Sequence, residues 1–134
     1  MANQNDHKGL VLTGRILLSL IFLLSALGKA AGFSGTAAMM ASKGFPIASL
    51  FLAAAITIEL LGGLSVLTGF KARAGAIALI IFLIPTTLIF HNFWAYQGME
   101  QQMQMANFLK NVAIAGGLAL VTAFGPGPLS VDKN

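Results

Sequence analysis

The sequence contains no cysteine, and only 9% of its 134 residues are charged. Without cysteine, the chain cannot form a disulfide, relay electrons through a CxxC pair or hold an iron–sulfur cluster through thiolates. A soluble domain usually has about one quarter charged residues, so the low charge argues against an ordinary soluble domain. Any redox chemistry would therefore need a partner or a bound molecule that carries the electrons.

Hydrophobic residues make up 57% of the sequence, which is typical of a membrane protein. A bilayer core of about 30 Å requires roughly 20 apolar residues per helix, so this length accommodates about four spans with short connections. We expect one all-α membrane domain over residues 1–134, a four-transmembrane-helix bundle. Its predicted spans cover about residues 10–31, 47–70, 74–90 and 107–124.

The segments between the predicted spans also contain residues that predict local structure. "SGTAAMMASKGFP" predicts a short interfacial helix between the first two spans, with Ser34 as N-cap and with Gly44 and Pro46 ending it. Pro85 is expected to kink the third span. The polar stretch from residue 91 to residue 107 is predicted to connect the last two spans.

The formal net charge of +4 does not indicate a nucleic-acid-binding protein, because the basic residues are scattered and form no cluster. They are better explained as orientation signals. The basic turn "KARAG" lies on the same side as both termini, together with Lys8 and Lys133, whereas Lys29 and Lys43 lie on the opposite side. We therefore predict that both termini are cytoplasmic.

Arg15 and Glu59 are ionisable residues inside predicted spans. Each costs about 2.5 to 3.5 kcal/mol at a helix centre unless it faces the bundle interior or a partner. We expect the two to face each other. A pair would keep Glu59 ionised, whereas burial without a partner favours its neutral form and makes it a proton carrier. The alternatives are an ion pair that fixes helix register and a role in ligand or proton handling.

Two further residues lie on the side of the membrane opposite the termini. Lys29 shares a face of the first span with Arg15, since they are about four helical turns apart. It either extends to the interface or donates to a ligand. His91 closes the third span and either anchors the helix end or binds a carbonyl-bearing or proton-accepting ligand.

Asn107 and Asn111 are one turn apart at the start of the fourth predicted span. They are either ligand donors or, respectively, an N-cap and an interhelical hydrogen bond. No second His, Cys or carboxylate lies at ligand spacing, so we predict no metal site, and the sequence contains no recognisable haem or flavin motif.

Five segments follow one another along nearly the whole chain: "GRILLSLIFLLSALGKAAGF", "SKGFP", "IELLGGLSVLTGFKARAGA", "IFHNFW" and "NFLKNVAIAGGLAL". Their ordered set resembles the DoxX family of small bacterial four-helix membrane proteins. The resemblance implies a multi-pass protein of the bacterial inner membrane. Members of the family are linked to quinone-coupled respiration, as in thiosulfate oxidation, and to an oxidoreductase complex of oxidative-stress defence.

The leading hypothesis is a membrane subunit of a redox or oxidative-stress system that binds a quinone-like or other lipophilic molecule within the bundle. Its partners would be the lipid bilayer, other membrane or redox subunits, and further copies of itself. The alternatives are a non-enzymatic scaffold or assembly protein and a small transporter. The sequence assigns no catalytic residue, and the predicted binding residues are Arg15, Lys29, Glu59, His91, Asn107 and Asn111.

Overall fold

A computed structural model describes residues 7–132, in which the regular secondary structure is helical and no strand occurs. The elements are α1 (Lys8–Ala31), α2 (Phe33–Ser42), α3 (Ala48–Thr68), α4 (Ala72–Phe90), a 3-10 helix (Phe93–Ala95) and α5 (Gly98–Phe124). Helices α1, α3, α4 and α5 are long and apolar enough to cross a membrane. The predicted all-α bundle of four transmembrane helices, with a short helix between the first two, is confirmed.

The four long helices pack in chain order, α1 against α3, α3 against α4 and α4 against α5. All four contribute to one core, which contains Phe22 from α1, Val66 from α3, Leu79 from α4 and Leu118 from α5. Helices α1 and α5 make few contacts and leave between them an open, mostly apolar groove of about 740 Å³. The bundle is therefore closed along three seams and open along the fourth.

Two adjacent glycines let α3 pack closely between its neighbours. A methyl group at Gly62 would lie 2.6 Å from Cγ of Leu79 on α4, and one at Gly63 would lie 3.0 Å from Cδ2 of Leu23 on α1. Small residues allow membrane helices to approach in this way. The contact between Gly63 and Leu23 also fixes the height of α3 relative to α1, which decides which polar side chains meet.

The end of α2 is built as predicted. The amide of Gly44 donates to the carbonyl of Ala41 at 3.0 Å, and that of Phe45 donates to Met40 at 3.3 Å. Gly44 has a φ of +93°, which a glycine adopts without strain and which this C-terminal cap requires. The predicted N-cap is wrong, because α2 begins at Phe33 and Ser34 lies inside it.

Helix α5 begins at Gly98, nine residues before the predicted start of the last span. The polar stretch after residue 97 is thus helical and not a connection, because its Glu, Gln and Met side chains are strong helix formers. Asn107 consequently lies inside the helix, and its predicted role as N-cap is wrong. Pro85 lies inside α4, where it has no N–H to donate to the preceding turn.

The C-terminal segment, residues 125–132, folds back across the end of the bundle at which α1 begins. The amides of Val131 and Asp132 donate to the carbonyls of Thr68 and Gly69, each at 3.0 Å. These carbonyls belong to the end of α3 and would otherwise lack helical partners. The basic turn between α3 and α4 and the start of α1 therefore share this end. Lys133 lies outside the described residues, and the cytoplasmic orientation stays a prediction.

Candidate functional site

An ion pair joins α1 to α3 inside the bundle. Lys29 Nζ donates to Oε1 of Glu59 and, at 2.8 Å, to the hydroxyl of Ser25 one turn earlier on α1. Glu59 is 2% exposed, and the side chain of Lys29 is 27% exposed. The other carboxylate oxygen, Oε2, has no hydrogen-bond partner among residues 7–132. Lys29 is thus the group that balances the charge of Glu59.

The predicted ion pair between Arg15 and Glu59 is wrong, and the packing of α1 on α3 explains why. Gly63 lies against Phe22 and Leu23, so Glu59, one turn earlier on the antiparallel helix, lies near the height of Ala26. Arg15 is then about 16 Å lower along α1, at 1.5 Å per residue. Lys29 is less than one turn from Ala26 and reaches the carboxylate.

Arg15 is instead covered by the C-terminal segment. Its Nη2 donates to the carbonyl of Leu129 at 2.5 Å and to that of Pro128 at 3.4 Å, and the residue is 3% exposed. It borders the groove between α1 and α5. Arg15 therefore lies at the opposite end of the bundle from Lys29 and does not meet the other predicted binding residues.

A pocket of about 430 Å³ opens beside Lys29, between the end of α1 and helices α2, α3 and α4. Its wall is mainly apolar and aromatic and includes Met40, Leu52 and Phe90. The polar side chains in its wall are those of Lys29, Thr36, Thr86 and His91. The groove between α1 and α5 is larger and more open, and of its two charged residues Arg15 is already bonded to the C-terminal segment and Lys110 is exposed. A few convergent polar groups in an apolar cavity are typical of a binding site, so the smaller pocket is the better candidate.

His91 lies in the pocket wall, where α4 ends. Its Nδ1 is 2.9 Å from Oε1 of Gln104 on α5. An amide oxygen only accepts, so with this assignment Nδ1 carries the proton and Nε2 remains available to a ligand. Gln104 was missed from the sequence because its segment was interpreted as a connection. A helical reading of residues 98–106 would have placed it within reach of the third span.

The two predicted asparagines lie outside the pocket. Asn111 donates from Nδ2 to Oγ1 of Thr87 on α4 at 3.0 Å, which is the interhelical hydrogen bond considered from the sequence. Asn107 lies one turn earlier on α5. The structure thus brings together Lys29, Glu59 and His91, and leaves Arg15, Asn107 and Asn111 elsewhere. Among the described residues, no group of three or more His, Cys, Asp or Glu side chains could hold a metal ion.

Comparison with known proteins identifies the family. Residues 10–92 match DoxX, and this region contains α2 to α4 and all but the first two residues of α1, with Lys29, Glu59 and His91. The chain belongs to the DoxX family. Helix α5 and the C-terminal segment follow the matched DoxX region, so Gln104 and the partners of Arg15 lie beyond it.

Two Escherichia coli K12 proteins are similar to this DoxX protein over nearly its whole length. Inner membrane protein YphA is 36% identical and covers 93% of this chain and 89% of its own length. Inner membrane protein YqjF is 36% identical and covers 92% of this chain and 89% of its own length. With four apolar helices of spanning length, these relatives make the chain a multi-pass inner membrane protein.

A more distant relative is the ER-derived vesicles protein ERV29 of Saccharomyces cerevisiae, which is 28% identical over 98% of this chain but only 36% of its own length. No solved structure matches. The DoxX assignment therefore rests on sequence similarity.

Proposed function

We propose that this DoxX protein is a membrane subunit of a redox or oxidative-stress system and binds a quinone-like or other lipophilic ring compound in the pocket beside Lys29. The observation that carries the proposal is an ammonium group held at the wall of an apolar cavity by a buried acid. Intramembrane charges are expensive and are most often found where they act on a ligand, an ion or a proton.

Lys29 has a hydrogen-bond donor left for a ligand. An ammonium group has three N–H bonds, and Lys29 uses one for Glu59 and one for Ser25. The third has no hydrogen-bond partner among residues 7–132 and can meet a carbonyl oxygen placed in the pocket. His91 Nε2 provides a second contact at the wall, and it accepts from a hydroxyl when the ring is neutral. These two groups suit a ligand that presents a carbonyl oxygen to Lys29 and a hydroxyl to His91.

The rest of the pocket suits a flat apolar ring with a tail. Its volume of about 430 Å³ lies within the range of small-molecule sites. The ring of Phe45 stacks on Phe90 with centroids 5.7 Å apart and planes inclined by 7°, and Phe51 meets Phe45 edge-on at 5.6 Å. Aromatic surfaces favour stacking with another ring. A quinone carries its own electron chemistry, so the task of these side chains is to bind and orient the ring.

Binding is tested by fluorescence, because Trp94 is the sole tryptophan and follows His91 by three residues. The protein in phosphatidylcholine nanodiscs is titrated with a decyl-substituted benzoquinone. We expect saturable quenching in the wild type, and weaker binding both in Lys29→Met and in Ala55→Phe, which places bulk in the pocket. Lys110→Met, which changes an exposed residue of α5 outside the pocket, is the matched control. Non-saturable quenching that is equal in all four proteins contradicts the proposal.

The scaffold alternative assigns the pair of Lys29 and Glu59 to helix packing alone. It predicts that Glu59→Gln lowers stability without affecting any bound molecule, and that no lipophilic compound copurifies with the protein. Mass spectrometry of organic extracts from the purified protein separates the two functions. A quinone-like compound that is enriched with the wild type and depleted with Ala55→Phe supports the pocket, and identical extracts support the scaffold.

A further inference from the structure

We infer that Glu59 determines the charge class of the ligand: by neutralising Lys29 it makes the pocket select uncharged carbonyl compounds and reject lipophilic anions such as fatty acids. This inference rests on the proposed function, because it concerns the same pocket. It assigns Glu59 a specificity-determining role that does not require contact with the ligand.

The geometry separates the two members of the pair. Lys29 lies in the pocket wall, whereas Glu59 does not, and Glu59 is 2% exposed. The carboxylate is therefore held behind the ammonium as seen from the cavity, joined to it through Oε1. A ligand in the pocket meets the donor directly and experiences the acid only through its charge.

The charge of Glu59 matters because the surroundings are apolar. Beside Lys29 alone, an anion would gain a strong attraction, since charges interact several times more strongly in a protein interior than in water. The carboxylate behind Lys29 repels the same anion and cancels most of that gain. The anion still loses its hydration on entering the pocket. A neutral carbonyl loses far less hydration and keeps the hydrogen bond from Lys29, so the intact pair favours it.

The remaining charged groups near the pocket do not replace Glu59. Lys43 is an exposed residue whose Nζ lies 5.8 Å from the centroid of Phe90, at the rim. Solvent and salt screen an exposed charge of this kind. His91 shares its Nδ1 hydrogen bond with the neutral Gln104. Selectivity is therefore expected to follow the buried pair and to change little in Lys43→Gln.

The test measures how well laurate displaces the decyl-substituted benzoquinone, using the quenching of Trp94 in phosphatidylcholine nanodiscs. In Glu59→Gln, which keeps the shape of the side chain and removes its charge, we expect laurate to bind at least about tenfold more tightly than in the wild type, or about 1.4 kcal/mol. Quinone affinity should change by less than about threefold, or about 0.65 kcal/mol. The double variant Lys29→Met with Glu59→Gln should lose the gain, since no cation remains.

Removing the opposite charge of the pair, in Lys29→Gln, tests the inference if Glu59→Gln does not fold. Lys29→Gln removes the cation that keeps Glu59 ionised, and dodecylammonium can supply that positive charge in its place, so we expect the pocket to gain affinity for dodecylammonium and none for laurate. Opposite shifts in the two single variants support the inference. Laurate and dodecylammonium affinities that stay at wild-type values in both single variants, while the wild type binds quinone saturably, overturn it and leave the proposed function standing. Absence of quinone binding in the wild type overturns the proposed function instead.

Discussion

Arg15 and Lys29 lie on one face of α1, about four turns apart, yet they have different kinds of partner. Arg15 donates to backbone carbonyls of the C-terminal segment, whereas Lys29 donates to the carboxylate of Glu59. Arg15 keeps two buried donors, Nε and Nη1, without partners among residues 7–132, but the protein encloses both. The spare N–H of Lys29 belongs to a side chain in a pocket wall. Arg15 also borders a groove, but its two unpartnered nitrogens are covered, so a buried cation becomes a candidate binding group only where a donor reaches the space beside it.

The two ends of the bundle are expected to contribute differently to stability and to ligand binding. One end is closed by the C-terminal segment, which holds Arg15 and the end of α3. The other end carries the pocket between α1, α2, α3 and α4. Damage at the first end should lower stability and spare ligand binding, whereas damage at the second should affect both.

The largest expected loss follows from breaking the ion pair. Glu59→Ala leaves Lys29 without its anion, and breaking a buried pair costs about 3 to 5 kcal/mol. Because the side chain of Lys29 is 27% exposed, we expect the lower limit, about 3 kcal/mol. The measurement is reversible unfolding by sodium dodecyl sulfate in mixed micelles.

The matched control for that prediction removes both charges. Lys29→Met with Glu59→Met leaves no unpaired ion, so we expect stability close to that of the wild type. Losses from Lys29→Met and Glu59→Met that simply add in the double variant would show that the two residues do not interact.

The second prediction concerns the opposite end. Ending the chain after Gly127 removes the carbonyl partners of Arg15, and a hydrogen bond to a charged group contributes about 1.5 to 3 kcal/mol. We expect a loss of about 2 kcal/mol in the same unfolding measurement. Quinone affinity should stay within about twofold of the wild type, because this end does not touch the pocket.

Combining Arg15→Met with the truncation gives a double-mutant cycle that tests whether Arg15 and the C-terminal segment interact. With no guanidinium to satisfy, the truncated chain should lose less stability in the Arg15→Met background than in the wild-type background. An equal loss in both backgrounds would mean that the segment acts only through its hydrogen bonds to Thr68 and Gly69. A truncated protein with weakened quinone binding would contradict the separation of the two ends.

The third prediction tests the close packing of α3 against α4. A methyl group at Gly62 would lie 2.6 Å from Cγ of Leu79, which is fully buried. Overpacking a core costs about 1 to 3 kcal/mol, and we expect about 1.5 kcal/mol for Gly62→Ala. Gly116→Ala is the control, since nothing lies within 4 Å of its added carbon. An equal effect of the two substitutions in unfolding measurements would reject the close approach of α3 and α4.

Hydropathy and length were sufficient to predict the four long helices, because a bilayer constrains both. The glycine and proline that end α2 were also readable, since the cap needs a residue with positive φ. The partner of Glu59 could not be predicted from the sequence. It depends on the relative height of α1 and α3, which the contact between Gly63 and Leu23 sets and which no pattern within one helix contains.

The candidate site was predictable in part. The rarity of ionisable residues in spans identified Lys29 and Glu59, and the end of the third span identified His91. Gln104 and the carbonyls of residues 128 and 129 were missed, because backbone groups and neutral amides carry no such signal. The separation of Arg15 from the pocket likewise follows from tertiary packing.

The smallest expected effect belongs to the polar contact that carries no charge. Asn111 donates to Thr87, which is 7% exposed, across the seam between α4 and α5. Hydrogen bonds between membrane helices contribute about 0.6 kcal/mol on average, because the unfolded helices find other partners in the membrane. We therefore expect Thr87→Val and Asn111→Ala to lose similar small amounts, with a coupling of about 0.6 kcal/mol in the double variant. Asn107→Ala, one turn away, is the control. A coupling as large as that of Lys29 with Glu59 would show that charge is not what distinguishes the pair at the pocket.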